Sequence, residues 1–155
     1  MKVLILNGPN LNLLGQRQPE IYGDLTLQQI RDYTLKKFAP LPGSESFDIA
    51  WFQSNHEGVL IDKVHEAFRG QYDALIINPA GYSHTSVALL DALLALKVPV
   101  VEVHLSNVHE REDFRSKLLT GQAASIIMSG LGKDAYYSGL KWLLERKDHF
   151  EISNN

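Results

Sequence analysis

The sequence predicts an α/β domain built on a parallel sheet, and three observations predict it. Five short apolar runs recur along the 155 residues, each followed by a longer amphipathic stretch, which is the alternation of strands joined by crossover helices. The first and third runs, Val3–Leu6 and Ala74–Ile77, are continuous rather than alternating, as central strands covered on both faces must be. Helix start and stop signals frame the stretches in between.

The first strand, Val3–Leu6, leads into a long connection, Gly8–Asp24, rich in Pro, Asn, Gly, Gln and Arg and without a helical period. Loops of that length in compact domains are lids or binding loops, so a mobile active-site lid is expected within residues 8–24. Thr26 with Gln29 forms a capping box ahead of a helix reaching about Phe38, which Pro40 and Pro42 stop. Leu41–Ser46 reads as a surface turn, and Phe47–Phe52 as the second strand. Ser54 and Glu57 repeat the capping pattern, Leu60, Val64, Ala67 and Phe68 share one buried helix face, and Gly70 suits the C-terminal end. After the third strand, Ser83–Ser86 opens a helix whose N–H groups and hydroxyls either hold an anion or simply cap it. Val98–Val103 and Ala124–Met128 are the remaining strands, and Tyr136, Leu140, Leu143 and Leu144 line the buried face of a last helix. With no repeat, linker or low-complexity tract, residues 1–155 read as a single domain.

Composition removes several function classes. Fifteen Lys and Arg against eighteen Asp and Glu give a charge of −3, with the basic residues scattered, so nucleic acid is not the expected partner. The absence of cysteine excludes disulfide scaffolds, thiol nucleophiles and iron–sulfur sites. No stretch approaches a membrane span and Met1 runs directly into the first strand, so the expected location is cytoplasmic, with no membrane partner.

Ligands of open parallel sheets bind outside the carboxyl ends of the strands. The first strand is followed by Asn7, Gly8, Pro9, Asn10 and Asn12, then Arg17 and Tyr22; the third by Asn78 through His84; the fourth by His104, Ser106, Asn107, His109, Arg111 and Arg115. The second and fifth ends read as quieter. Glu102 and His104 alternate with Val103 and so share a face of the fourth strand, where the carboxylate fixes the imidazole tautomer for general acid work or simply makes a structural pair. A metal there would need His84 or His109 as a third ligand, and no ligand spacing completes it.

Asp91 lies among Val87, Ala88, Leu94 and Ala95 on an apolar helix face. It needs a partner within the chain, which the residues alone favour, or a place in a site shared with another subunit. Arg17 near Tyr22 would favour the phenolate and make it a base, although such a pair taken alone is more often a packing anchor. Arg111 and Arg115, four apart, face a carboxylate together or lie in solvent beside Glu110, Glu112 and Asp113.

The strings Asn7 to Gly15, then Arg17, Pro19 and Tyr22–Gly23, Phe52 to Gly58, Ile77 to Ser86 and Glu102 to Arg111 resemble type II 3-dehydroquinate dehydratase in order and without gaps, from Lys2 to about Leu144. The resemblance implies a flavodoxin-like, doubly wound five-stranded sheet with helices on both faces. It implies a lyase that converts 3-dehydroquinate to 3-dehydroshikimate in the shikimate pathway through an enolate, with no metal or organic cofactor. Tyr22 would then be the proton acceptor, Arg17 the stabiliser of developing charge, Arg111 a further positive group and Asn10 the holder of a water on the enolate. His104 would be the proton donor, oriented by Glu102. Asn78, His84 and Arg115 would hold substrate hydroxyls, the amides of Leu105 and Ser106 its carboxylate, and Asp91 would reach a neighbouring subunit's site. Trimers assembled into a homododecamer would account for the apolar face around Asp91.

The other dehydratase class resembles a TIM barrel with a lysine imine, for which 155 residues are too few. A flavodoxin-like flavin or nucleotide module is the alternative, but Pro9, Leu11, Leu13 and Leu14 occupy the place of its phosphate loop. A non-catalytic assembly protein on the same fold is the third.

Overall fold

The computed structural model describes residues 1–16, 24–110 and 112–152. The strands β1 (Lys2–Asn7), β2 (Asp48–Gln53), β3 (Ala74–Asn78), β4 (Val100–His104) and β5 (Ile126–Ser129) form one sheet in the order β2-β1-β3-β4-β5. Every neighbouring pair is parallel. The five expected strands are all present, and the fold class is α/β as read.

Both faces are covered, which is why the central runs need no polar alternation. Val3, Ile5, Ile76, Val101 and Val103 pack against Ile30 and Phe38 of α1 (Leu27–Phe38) and against Tyr136, Leu140 and Leu143 of α5 (Ala135–Glu145). The alternate set, Leu4, Leu6, Leu75, Ile77 and Val100, meets Leu60 and Val64 of α2 (Glu57–Phe68) and Leu89 and Leu93 of α4 (Val87–Leu94). Two further helices are short: α3 (Tyr82–Thr85) after β3, and α6 (Lys147–Ile152) at the end. β4 is buried throughout like β3, although Glu102 interrupts its apolar run. Among the described residues no helix is long and apolar enough to cross a membrane.

The Thr26 capping box is formed: Thr26 Oγ1 accepts from Gln29 N at 3.2 Å and Gln29 Oε1 from Thr26 N at 2.9 Å. Gly70, at φ 80°, ends α2 with Gly70 N on Ala67 O and Gln71 N on Glu66 O, the paired bonds of a Schellman motif. Two expectations fail here. Ser54 does not cap α2; its hydroxyl accepts from His56 N at 3.0 Å, and Glu57 is already the first helical residue, too early to close a box. Phe68 is 59% exposed, because Ala67 takes the buried position at the end of the helix and Phe68 lies about 100° further round.

The Gly8–Asp24 connection is not wholly irregular. Leu11–Leu13 forms one 3-10 turn, and Leu11 and Leu14 are buried in the core. A Cβ on Gly15 would stand 2.8 Å from the Asp24 carbonyl, so the chain leaves and rejoins the domain at adjacent points. The lid is expected within residues 8–24, of which 17–23 lie outside the described residues.

Candidate active site

β1 has β2 on one side and β3 on the other, so the strand order reverses between β1 and β3 and opens a crevice at their carboxyl ends. The two loops touch beneath it. Gly8 N donates to Asn78 O at 2.8 Å, and a Cβ at Gly8 would collide with the Pro79 carbonyl, so only glycine allows this approach. Above the contact lies a cavity of about 130 Å³. Pro9 and Asn10 reach it from the β1 loop, Asn78, Gly81 and His84 from the β3 loop, His104, Leu105 and Ser106 from β4, and Arg115 from the turn Asp113–Arg115.

His104 and Glu102 do share a face of β4. His104 Nε2 lies 2.8 Å from Glu102 Oε1, with the carboxylate fully buried and the imidazole 5% exposed. An ionised carboxylate only accepts, so Nε2 carries the proton and Nδ1 is left for a ligand in the cavity. Glu102 Oε2 is buried with no hydrogen-bond partner among the described residues. His84 is set the other way. Its Nδ1 lies 3.0 Å from the Lys117 carbonyl, so Nδ1 is the protonated nitrogen and neutral His84 keeps Nε2 as an acceptor. Burial pushes the His84 pKa below its ordinary value; the Lys117 carbonyl opposes this, and Arg115 and His104 add to it.

Asn10 holds a left-handed conformation, φ 66°, and its N–H donates to Asn55 Oδ1 at 2.9 Å. Asn55 also accepts from Gln53 Nε2 at 3.0 Å, and Tyr82 OH donates to the Asn55 carbonyl at 3.0 Å. The end of β2 is therefore not quiet: it props the β1 loop through side chains whose partners lie tens of residues away. The fifth end works similarly, with Ser129 Oγ accepting from Val108 N and donating to Ser106 O. Among the described residues the N–H groups of Leu105 and Ser106 make no hydrogen bond, so two adjacent donors remain for an anion beside the cavity. Arg115 lines the cavity with Nε on Glu112 Oε2 at 2.7 Å.

Of the hydroxyls of Ser83–Ser86 only that of Ser86 caps a helix, its Oγ accepting from Leu89 N at the start of α4; Ser83 Oγ donates to Ala80 O and Thr85 Oγ1 to Gly81 O. Asp91 is exposed on α4 and makes no side-chain hydrogen bond or ion pair among the described residues, so the intramolecular partner favoured from sequence is not found. Arg17, Tyr22 and Arg111 lie outside the described residues. So does the His109 side chain, and among the described residues no three His, Asp or Glu side chains gather as a metal site.

One layer below the cavity is a polar network that sequence reasoning missed. Tyr136 OH donates to Asn7 Oδ1 at 2.6 Å and accepts from Asn78 Nδ2 at 3.2 Å, all three residues being buried. Register places Asn7 beside Asn78, but nothing local in sequence connects either to Tyr136. The one available signal was a phenol at a core position, since buried Tyr hydroxyls find partners.

The chain is similar to known proteins in sequence and in fold. The sequence pattern of the family described as "Dehydroquinase class II" matches residues 1–144. The chain is 46% identical over 142 residues to a 3-dehydroquinate dehydratase of Clostridium botulinum (strain Hall), covering 92% of this chain and 93% of the relative. It is 46% identical over 145 residues to the 3-dehydroquinate dehydratase of Helicobacter hepaticus, covering 94% and 89%. In three dimensions it is similar to the crystal structure of type II dehydroquinase from Butyrivibrio crossotus, with a TM-score of 0.86 at 38% identity over 92% of this chain and 97% of that one.

Proposed function

The chain belongs to the class II dehydroquinase family and dehydrates 3-dehydroquinate to 3-dehydroshikimate in the shikimate pathway; on that premise we propose that the cavity at the β1–β3–β4 ends carries the reaction through an enolate, without metal or organic cofactor. The observation that carries this reading is the buried Glu102–His104 pair, whose free Nδ1 serves a cavity also lined by Asn10 and Arg115.

Tyr22, with Arg17 and Arg111 favouring its phenolate, takes the proton from the carbon next to the ketone. The electron pair moves onto the carbonyl oxygen, and Asn10 stabilises that enolate through a held water as charge develops. His104, protonated and oriented by Glu102, gives the Nδ1 proton to the departing hydroxyl; the carbon–oxygen bond breaks, water leaves and the enone forms. Asn78, His84 and Arg115 hold substrate hydroxyls, and the N–H groups of Leu105 and Ser106 hold the carboxylate. The single domain closes over substrate with a lid within residues 8–24, excluding water. The working enzyme is cytoplasmic and a homo-oligomer, trimers joined into a dodecamer, in which Asp91 reaches the neighbouring subunit's site. The exposed apolar face around Asp91 supports that assembly.

The test is the rise of enone ultraviolet absorbance when purified protein meets 3-dehydroquinate, with a chelator present and after borohydride treatment in the presence of substrate. Turnover insensitive to both agrees with the metal-free enolate route; loss in either sinks it. Tyr22→Phe is expected to lower kcat by about a hundredfold or more while substrate affinity changes little, because the base is removed and the pocket is kept. Near-normal turnover of that variant would remove Tyr22 from the base role.

A further inference from the structure

The network under the cavity has a fixed sense, and the sense can be followed from one end. Asn7 Nδ2 donates to the Phe52 carbonyl at 3.1 Å, a group that only accepts, so Asn7 turns its own oxygen toward Tyr136. Tyr136 spends its one hydroxyl proton on that oxygen at 2.6 Å. Toward Asn78 it can then only accept, which draws the Asn78 nitrogen to it at 3.2 Å. From the other side the Ala80 N–H, held at φ 53°, donates to Asn78 Oδ1 at 3.2 Å and demands the same orientation.

We propose that Tyr136 is a positioning residue for the dehydration: its hydroxyl, anchored on Asn7, locks the Asn78 amide in the one orientation that presents its second N–H and its free oxygen lone pair to the cavity. The proposal rests on the reading that Asn78 holds a substrate hydroxyl. A free Asn side chain presents donor or acceptor by rotation of its amide, and a substrate hydroxyl must then select one state; a locked amide has paid that ordering in advance. Burial pushes the Tyr136 pKa far up, so the hydroxyl keeps its proton, and therefore the direction of the relay, at any working pH. The ring is held independently, packed at 4.9 Å between centroids against Trp51, so removing the hydroxyl need not move the helix that carries it.

The experiment is a double-mutant cycle on the full-length protein, read as KM and kcat for 3-dehydroquinate. Tyr136→Phe is expected to raise KM about tenfold with kcat changed less than about threefold, the pattern of lost ground-state binding. In an Asn78→Ala background the same substitution should change KM less than about twofold, since its target is gone. Additive increments would overturn the proposal, as would an unchanged KM in either single variant. Should Tyr136→Phe fail to fold, Asn7→Ala with Tyr136 kept removes the anchor of the same hydroxyl and should show the same KM effect and the same dependence on Asn78. Turnover by the wild-type protein scores the dehydratase reading separately. The side-chain amide resonances of Asn78 score the lock without catalysis: in wild type they should be shifted and slow to exchange, and in Tyr136→Phe they should move toward free-amide values. Unchanged resonances would overturn it.

Discussion

Two histidines face the cavity in opposite tautomers, each set by a partner that can only accept a hydrogen bond: the Lys117 carbonyl for His84 and the Glu102 carboxylate for His104. One imidazole therefore keeps Nε2 for the ligand and the other Nδ1, so two residues of one type present different ring nitrogens to one pocket. The Glu102–His104 pair was legible in sequence because strand alternation leaves two residues i and i+2 no choice of face. The tautomer of His84 was not, since Lys117 is 33 residues away and contributes only its backbone. His84 carries a consequence for pH. Its folded pKa lies below the ordinary value, burial being the largest cause. The unfolded chain protonates His84 near pH 6.5, the folded chain only at lower pH, so between those values the unfolded state binds more protons. The contribution of neutral His84 is then full above about pH 6.5 and is lost as pH falls toward the folded value. Urea midpoints at pH 7.5 and 5.5 should fall more for wild type than for His84→Gln; equal falls would show that His84 does not titrate in this window.

Among the elements, the strands and the helix after Thr26 were readable because their signals are local. Capping needs only Thr26 and Gln29, and a doubly covered strand declares itself by an unbroken apolar run. The errors came where an outcome depends on what lies opposite. Phe68 fits the period of α2 but falls past the reach of the sheet, and Ser54 serves a turn one residue before the helix. The links that support the site, Asn55 to Asn10 and Tyr136 to Asn7, join residues 45 and 129 positions apart, and no spacing rule reaches so far. Gly8 is the element-level hinge of the site, because β1 and β3 can send their loops into one crevice only while Gly8 lacks a side chain. Gly8→Ala is expected to cost about 1–3 kcal/mol of stability through overpacking, and to raise KM by parting the two loops. Gly58→Ala is the internal comparison. Gly58 sits within α2 with open space where a Cβ would go, so alanine there should stabilise by about 0.5–1 kcal/mol with activity unchanged. Urea denaturation and substrate kinetics of the two variants decide it, and equal effects at both positions would contradict the close-contact account of Gly8.

For the whole molecule, the open question of the sequence is Asp91, and the structure moves it outward. α4 buries Leu89, Ala92 and Leu93 against the sheet and turns Val87 and Leu94 to the surface at 58% and 57% exposure, with Asp91 among them. Scattered exposed apolar residues are ordinary, but a carboxylate set in an apolar helix face is what a subunit boundary would use to place one charge in a neighbour's pocket. That reading makes a quantitative demand. If Asp91 acts within its own chain, Asp91→Ala and His104→Ala proteins stay inactive however they are mixed, because no chain holds both groups. If it acts across the boundary, random reassembly after joint denaturation gives about a quarter of sites His104 from one parent and Asp91 from the other, both intact. Turnover per site should then rise from the level of either variant toward about a quarter of wild type, in proportion to the mixed oligomers seen by sedimentation velocity. Mixing without denaturation should give no rise until subunits exchange, which separates shared sites from simple contamination by active enzyme. A refolded mixture that assembles fully and remains inactive would return Asp91 to its own chain and leave the apolar face of α4 without a part in the chemistry.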